Sequence, residues 1–306
     1  EALRIALTFK DAYGETEQNR DDIVEDIDKI LVPVDFSVYA ENACEYALGI
    51  AGQLKAEIML FHAYYFNVMP PVTASEPFAY QVGADQSLAE IKELAESNMN
   101  KFYVSLLKRI EELNIADVRL NFTMQHGVPE EEILTFCEDY KPGLIILGTR
   151  GQTEKDVFFG NVTTQVIENA KVPVLTIPEI SKYGGINRTN ILYATNFDKS
   201  DAKAIRKLMT LVYLFDVKLY CVHIGKHKWD SVFMENFKKH FDEHYAGYNL
   251  ECLLLNGEDV VKELQQVVDE NHIDIIAMTT HKRNFLTRYL NPSLTKRMLF
   301  HTHTPL

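Results

Sequence analysis

Two stretches of this chain repeat one another, and that repeat limits the fold more than any other feature. Lys29-Ile-Leu-Val-Pro-Val-Asp-Phe-Ser37 lies over Asn190-Ile-Leu-Tyr-Ala-Thr-Asn-Phe-Asp198, and the same offset carries Ile58-Met-Leu-Phe-His62 onto Leu219-Tyr-Cys-Val-His223. A second match, at a shorter offset, sets His126-Gly127 over Asn256-Gly257 and Leu144-Ile-Ile-Leu-Gly-Thr149 over Asp274-Ile-Ile-Ala-Met-Thr279. The fall in offset means that the second copy lost a segment from its middle. Self-similarity over such lengths is the mark of a duplicated structural unit. The chain has 306 residues, room for about two domains of ~150 residues each. The reading is an extension over 1–28, a first domain over 29–180, a polar linker over 181–189 with Gly184-Gly185, and a shortened, degenerate second domain over 190–306.

Within each copy, strand and helix patterns alternate. In the first, apolar runs at 30–34, 58–62, 118–124, 144–147 and 172–177 read as buried strands, because they are short and nearly continuous. Between them, Ala43, Ala47, Ile50, Ala51 and Leu54 repeat at helical spacing over 40–54. Ser87 reads as the N-cap of a long amphipathic helix reaching Leu113. Pro129 followed by Glu130, Glu131 and Glu132 opens another, with proline early and acids in the first turn. The segment 66–86, with Pro70, Pro71 and Pro77, reads as a surface loop, and 163–170 as a last helix. Such alternation predicts an α/β protein of two tandem doubly wound domains, each a five-stranded parallel sheet with helices on both faces.

Charge and cysteine usage narrow the function. A net charge of −13 disfavours binding nucleic acid through its phosphates. No apolar run reaches the ~20 residues that span a bilayer, and no leader pattern opens the chain. Cys44, Cys137, Cys221 and Cys252 are scattered with no Cys-x-x-Cys, which predicts reduced thiols in a cytoplasmic protein. The chain opens at Glu1 and closes at Thr304-Pro305-Leu306 in a strand-like stretch, so trimmed ends are expected.

One loop carries chemistry. Gly148-Thr-Arg-Gly151 follows the strand at 144–147, and Gly160-Asn161-Val162 comes eight residues later, ahead of a helix. Glycines let backbone N–H groups approach a phosphate, and a helix N-terminus adds partial positive charge. His240 and His244, at i and i+4, share a helix face but bring no third ligand, so no metal site is predicted. His62 and His223 match across the repeat at a strand end, which points to a shared fold role for a hydrogen-bonded, half-buried histidine. No nucleophile elbow, deaminase set or P-loop is present, so no catalytic residue is assigned.

These motifs, taken in order, resemble the universal stress protein family: Lys29 to Ser37 on strand one, His62 closing strand two, His126-Gly-Val-Pro129 before a helix, Leu147-Gly-Thr-Arg-Gly151 … Gly160-Asn-Val162, and Lys171-Val-Pro-Val174. The resemblance covers 29–178 well and 190–306 more weakly, as in a tandem member. It implies a stress-response or signalling protein with an adenine-nucleotide (ATP) site in domain one, Mg entering only with the nucleotide, and at most weak ATP hydrolysis. Carried over by residue, Pro33 and Asp35 would border the adenosine and Ala63 would offer backbone groups to adenine. Gly148, Arg150, Gly151, Gly160, Asn161 and Val162 would surround the phosphates. Two departures stand out: the glycine loop is one residue shorter than the family's ATP-binding pattern, and Asn161 replaces its Ser or Thr. In domain two Asn196 replaces Asp35, Met278 replaces Gly148 and His281 replaces Gly151, with Leu290-Asn-Pro-Ser293 in the third glycine's region, so that site reads as degenerate. The resemblance further implies pairing through the last strand of each domain, giving an intramolecular pseudo-dimer, a homodimer of such chains and, separately, an unknown protein partner. A second class stays open: a non-nucleotide-binding scaffold acting through dimerisation and a protein or small hydrophobic ligand.

Overall fold

The computed structural model describes residues 27–65, 77–115, 118–149, 161–181, 183, 188–197, 199–226, 230–279 and 302–306. The chain divides into two compact units, one of them Asp28–Tyr183 and the other holding the second copy. The reading of 1–26 as an extension falls outside the described residues.

The first unit runs β1 (Lys29–Pro33), α1 (Val38–Leu54), β2 (Glu57–Tyr64), α2 (Pro77–Glu112), β3 (Arg119–His126), α3 (Pro129–Tyr140), β4 (Leu144–Gly148), α4 (Asn161–Asn169) and β5 (Val174–Ile177). All strand pairs are parallel, in the order β3-β2-β1-β4-β5. One sheet face presents Leu31, Phe61, Ile145 and Leu147 to Ile133 of α3 and Val166 of α4. The pleat turns Ile30, Val32, Ile58, Leu60 and Ile146 to the other face, all buried, where α1 and α2 pack. Local chemistry sets the helix ends. Ser37 Oγ accepts from Ala40 N at 3.2 Å and caps α1, while Pro129 and three glutamates occupy the first turn of α3.

The second unit runs β6 (Thr189–Ala194), α5 (Lys199–Val212), β7 (Val217–Ile224), α6 (Asp230–His244), β8 (Asn249–Leu255), α7 (Val260–Glu270) and β9 (Ile275–Met278), in the parallel order β8-β7-β6-β9. The five-stranded expectation for this copy therefore meets four strands among the described residues. The final segment nonetheless runs alongside β9: Ile276 N donates to Pro305 O at 2.8 Å, as Ile145 N donates to Pro173 O at 3.0 Å beside β4.

Two sequence expectations need correction. The long helix begins at Pro77, not after a cap at Ser87. Proline lacks only an N–H that a first turn leaves unpaired anyway, and once nucleated the helix gains a backbone bond per residue, enough to carry it through Gly83. The loop reading fails for 77–86, and 66–76 lie outside the described residues.

The second correction concerns the repeat. Gly127 immediately precedes the N-cap Val128 of α3, whereas Glu258 separates Gly257 from the N-cap Asp259 of α7. From that inserted residue onward the copies are offset by one more position. Ile30 pairs with Leu144 and Ile191 with Ile275, so Thr279, not Met278, stands where Gly148 stands in the first copy. His281 and the stretch 290–293 lie outside the described residues.

Candidate functional site

Strand order reverses between β1 and β4, since β1 leads outward to β2 on one side and β4 leads to β5 on the other. The carboxyl ends of such neighbouring strands diverge into a crevice, the usual ligand position in open parallel sheets. In the first unit this end is built from Pro33, Asp35, Gly148 and the start of α4.

Pro33 ends β1, and Val34 N still donates to Phe61 O at 2.8 Å. The chain then turns sharply, with Phe36 in the left-handed region at φ 63°. Its ring lies 4.5 Å from the His62 ring and 5.7 Å from Phe102. Asp35 is half-buried and its Oδ1 accepts from Ser37 N at 3.1 Å and Ser37 Oγ at 2.6 Å. One carboxylate oxygen thus orders the entry to α1. His62 Nδ1 lies 2.8 Å from Val34 O; since a carbonyl only accepts, Nδ1 carries the proton. Burial lowers the His62 pKa, against smaller opposing effects of the Val34 carbonyl and Asp35, and so favours the neutral ring.

The other wall is β4. A side chain at Gly148 would place Cβ 2.6 Å from Tyr39 Cβ and 2.8 Å from the Tyr39 carbonyl carbon. Glycine is thus required there by the close approach of α1, whatever ligand is present. Thr163, buried in the first turn of α4, donates from Oγ1 to Gly148 O at 2.9 Å. Val162 and Ala63 both pack against the Leu31–Phe61–Leu147 cluster. The contacts Asp35–Ser37 and Tyr39–Gly148–Thr163 bring the ends of β1 and β4 and the start of α4 to one place. Arg150, Gly151 and Gly160 lie outside the described residues, and of Asn161 only its place as the first residue of α4 is described.

The helix ends differ in charge. The first turn of α1 holds Glu41 and that of α3 holds Glu130, Glu131 and Glu132, while the first turn of α4 holds no acid. The partial positive charge of the α4 N-terminus is therefore left uncompensated within its own first turn.

The second unit keeps the frame and changes the content. Phe197 has φ 57°, its ring lies 4.5 Å from His223, and His223 Nδ1 lies 2.8 Å from Thr195 O. Both distances equal those of the first copy, and the φ angle lies close to the 63° of Phe36. Around them, however, Asp201 of α5 is buried and accepts from Tyr193 OH at 2.7 Å, Thr195 Oγ1 at 2.6 Å and Asn196 N at 3.2 Å. His223 Nε2 stands 3.5 Å from buried Asp230. Here the groups at the crevice end are engaged with one another.

Sequence reading missed Phe36, Tyr39, Thr163 and Asp201. The Phe36–Phe197 identity was visible in the repeat, but nothing in the pattern announced that it marks a left-handed turn. His240 and His244 stack at 4.0 Å, and His244 Nδ1 bonds the His240 carbonyl at 2.8 Å. Burial, then His244 and Arg206, lower the His240 pKa to about 4. Among the described residues no group of three or more His, Cys, Asp or Glu converges as a metal set, and no helix is long and apolar enough to cross a membrane.

Comparison with known proteins gives four findings. Residues 26–178 match the sequence model of the universal stress protein family. Over 155 residues the chain is 32% identical to a universal stress protein of Methanocaldococcus jannaschii, covering 50% of this chain and 84% of that one. A second universal stress protein of the same organism is 26% identical over 151 residues, covering 49% of this chain and 93% of its own. Among solved structures, a universal stress protein from Archaeoglobus fulgidus covers 92% of this chain and 96% of its own at 19% identity with a TM-score of 0.70. That likeness extends the shared fold across both units.

Proposed function

We propose, on the premise that this chain belongs to the universal stress protein family, that its first domain binds an adenine nucleotide such as ATP and that the second is a degenerate copy. The carrying observation is the acid-free N-terminus of α4, set against the end of β4 at the point where strand order reverses. Phosphates meeting that helix end would find backbone N–H groups and no opposing carboxylate in its first turn. Pro33, Asp35 and Ala63 lie on the β1 and β2 side, where adenosine would rest; Asp35 would accept from ribose or adenine donors. Gly148 and Val162 flank the phosphate end, with Arg150, Gly151, Gly160 and Asn161 completing it. Magnesium would enter with the nucleotide as its counter-ion. Binding would report nucleotide state to a partner, with at most weak hydrolysis.

In the second domain the described residues at the strand ends differ. Asn196 and Thr279 stand at the places of Asp35 and Gly148, and Asp201 already occupies the donors at the end of β6. As a degenerate copy it would offer a surface for a second chain or another protein.

Nucleotide extraction followed by titration calorimetry with ATP, ADP and AMP tests the reading. One nucleotide per chain is expected, lost in Gly151→Trp. Absence of binding at millimolar nucleotide would overturn it in favour of the scaffold class, and retained affinity in Gly151→Trp would move the site elsewhere.

A further inference from the structure

Cys221 on β7 and Cys252 on β8 are register partners in adjacent parallel strands. Register partners point to the same sheet face, and the strand spacing of about 4.8 Å falls inside the Cα separation of about 4.4–6.8 Å that a disulfide requires. The thiols are free in this structure, Cys221 fully buried and Cys252 half-buried. The repeat shows that the fold itself does not call for sulfur here: the corresponding partners in the first sheet are Leu60 and Phe122.

We propose that Cys221 and Cys252 form a peroxide-oxidisable dithiol, with Cys252 as the attacked sulfur and Cys221 as the resolving one. The division of roles follows from their surroundings. The Cys221 S–H donates to the Cys252 sulfur, and that hydrogen bond is the largest influence drawing the Cys252 thiol below its ordinary range. Lys238 of α6 acts in the same sense, against burial and the carboxylates of Asp242 and Glu251. Burial holds the Cys221 thiol well above the ordinary range, so it stays protonated until its partner is oxidised.

The chemistry balances with hydrogen peroxide as oxidant. Cys252 thiolate attacks the peroxide oxygen, the O–O bond breaks, and Cys252 becomes a sulfenic acid while hydroxide leaves and takes a proton to become water. Cys221 sulfur then attacks the Cys252 sulfur and expels the sulfenic oxygen, which leaves as a second water carrying the Cys221 proton. The cysteines are oxidised by two electrons and the peroxide is reduced by two. The product ties β7 to β8 across a pairing that already exists, so neither strand changes register.

The test uses the full chain, fully reduced, treated with hydrogen peroxide at neutral pH and then alkylated under denaturing conditions. The expected result is loss of two alkylatable thiols, an intact mass lower by two hydrogen atoms, and one cross-linked peptide joining the Cys221 and Cys252 segments, all reversed by dithiothreitol. Cys221→Ser should instead stop at a dimedone-reactive sulfenic acid on Cys252, and Cys252→Ser should leave Cys221 alkylatable. The proposal is overturned if Cys252 advances to sulfinic acid while Cys221 stays alkylatable. It is equally overturned if the cross-link involves Cys44 or Cys137, or if methionines oxidise before either thiol is lost.

Discussion

His62 Nδ1 lies 2.8 Å from the carbonyl oxygen of Val34, and the contact recurs at 2.8 Å between His223 and Thr195. In both copies the imidazole closes the second strand onto the turn that leaves the first, beneath a phenylalanine held in the left-handed region. The ring thus serves as a donor that fixes where the chain turns away from the crevice, and the retention of that role in a domain with a changed site marks it as architectural.

Removing the donor should therefore cost stability more than chemistry. His62→Ala leaves the Val34 carbonyl without its side-chain partner and opens space beside Phe36, at a cost of about 1–3 kcal/mol. Urea denaturation should show a lowered midpoint with an unchanged slope. A loss under about 0.5 kcal/mol would show that water replaces the imidazole without penalty.

Acid should destabilise the chain partly through His240. Burial, His244 and Arg206 lower its folded pKa to about 4, below the unfolded value of about 6.5. Between those values the unfolded chain binds more protons than the folded one, so stability falls as pH drops from about 6.5 and this contribution stops falling near 4. His240→Gln removes that linkage. Its urea midpoint should decline less than that of the wild type between pH 6.5 and pH 4, and parallel declines would assign acid sensitivity to carboxylates alone.

Gly148→Ala tests whether the crevice wall tolerates any side chain. The added Cβ would meet the Tyr39 backbone carbonyl carbon at 2.8 Å and its oxygen at 2.9 Å. Backbone cannot swing aside as a side chain can, so either α1 or the end of β4 must shift, at a cost of about 1–3 kcal/mol. Nucleotide affinity at the proposed site, measured by calorimetry, should fall with it because the shift moves the crevice wall at the end of β4. Wild-type stability in this variant would show that α1 is loosely seated.

The sheet was legible in the sequence because buried parallel strands are short apolar runs, and Leu144-Ile-Ile-Leu147 names its own strand. Strand ends were not, because pairing outlasts apolarity: Tyr64 and His126 still pair at the ends of β2 and β3, where neither side chain is deeply buried. The start of α2 was hidden by Pro77 and Gly83, residues that signal turns by composition yet are compatible with a helix at those places. The single residue inserted at Glu258 was invisible because no break in residue type accompanies it; only the pairing of Ile191 with Ile275 exposes it. Among the residues that the structure places at the crevice end, Asp35, Gly148 and Val162 were named by the motif. Thr163 was not, since its role depends on a carbonyl that no sequence displays.

Asp201 supplies the sharpest test of how the two copies diverged. It stands at the repeat position of Ala40, which is 3% exposed in the first domain. In the second, at 1% exposure, it gathers Tyr193 OH, Thr195 Oγ1 and Asn196 N. Thr195 Oγ1 in turn accepts from Phe197 N at 3.0 Å, so one carboxylate orients the residue that holds the left-handed turn. Asp201→Asn keeps the shape but turns an NH2 group toward donors, and should cost about 2–3 kcal/mol. The reciprocal Ala40→Asp should cost more, because Val32 and Val34 stand where Tyr193 and Thr195 stand and offer no side-chain donor to a buried carboxylate. Denaturant titration of both variants settles the matter. Equal losses would mean that the carboxylate finds other partners in the first domain, and that the Asp201 network is interchangeable with the cap that Asp35 and Ser37 provide there.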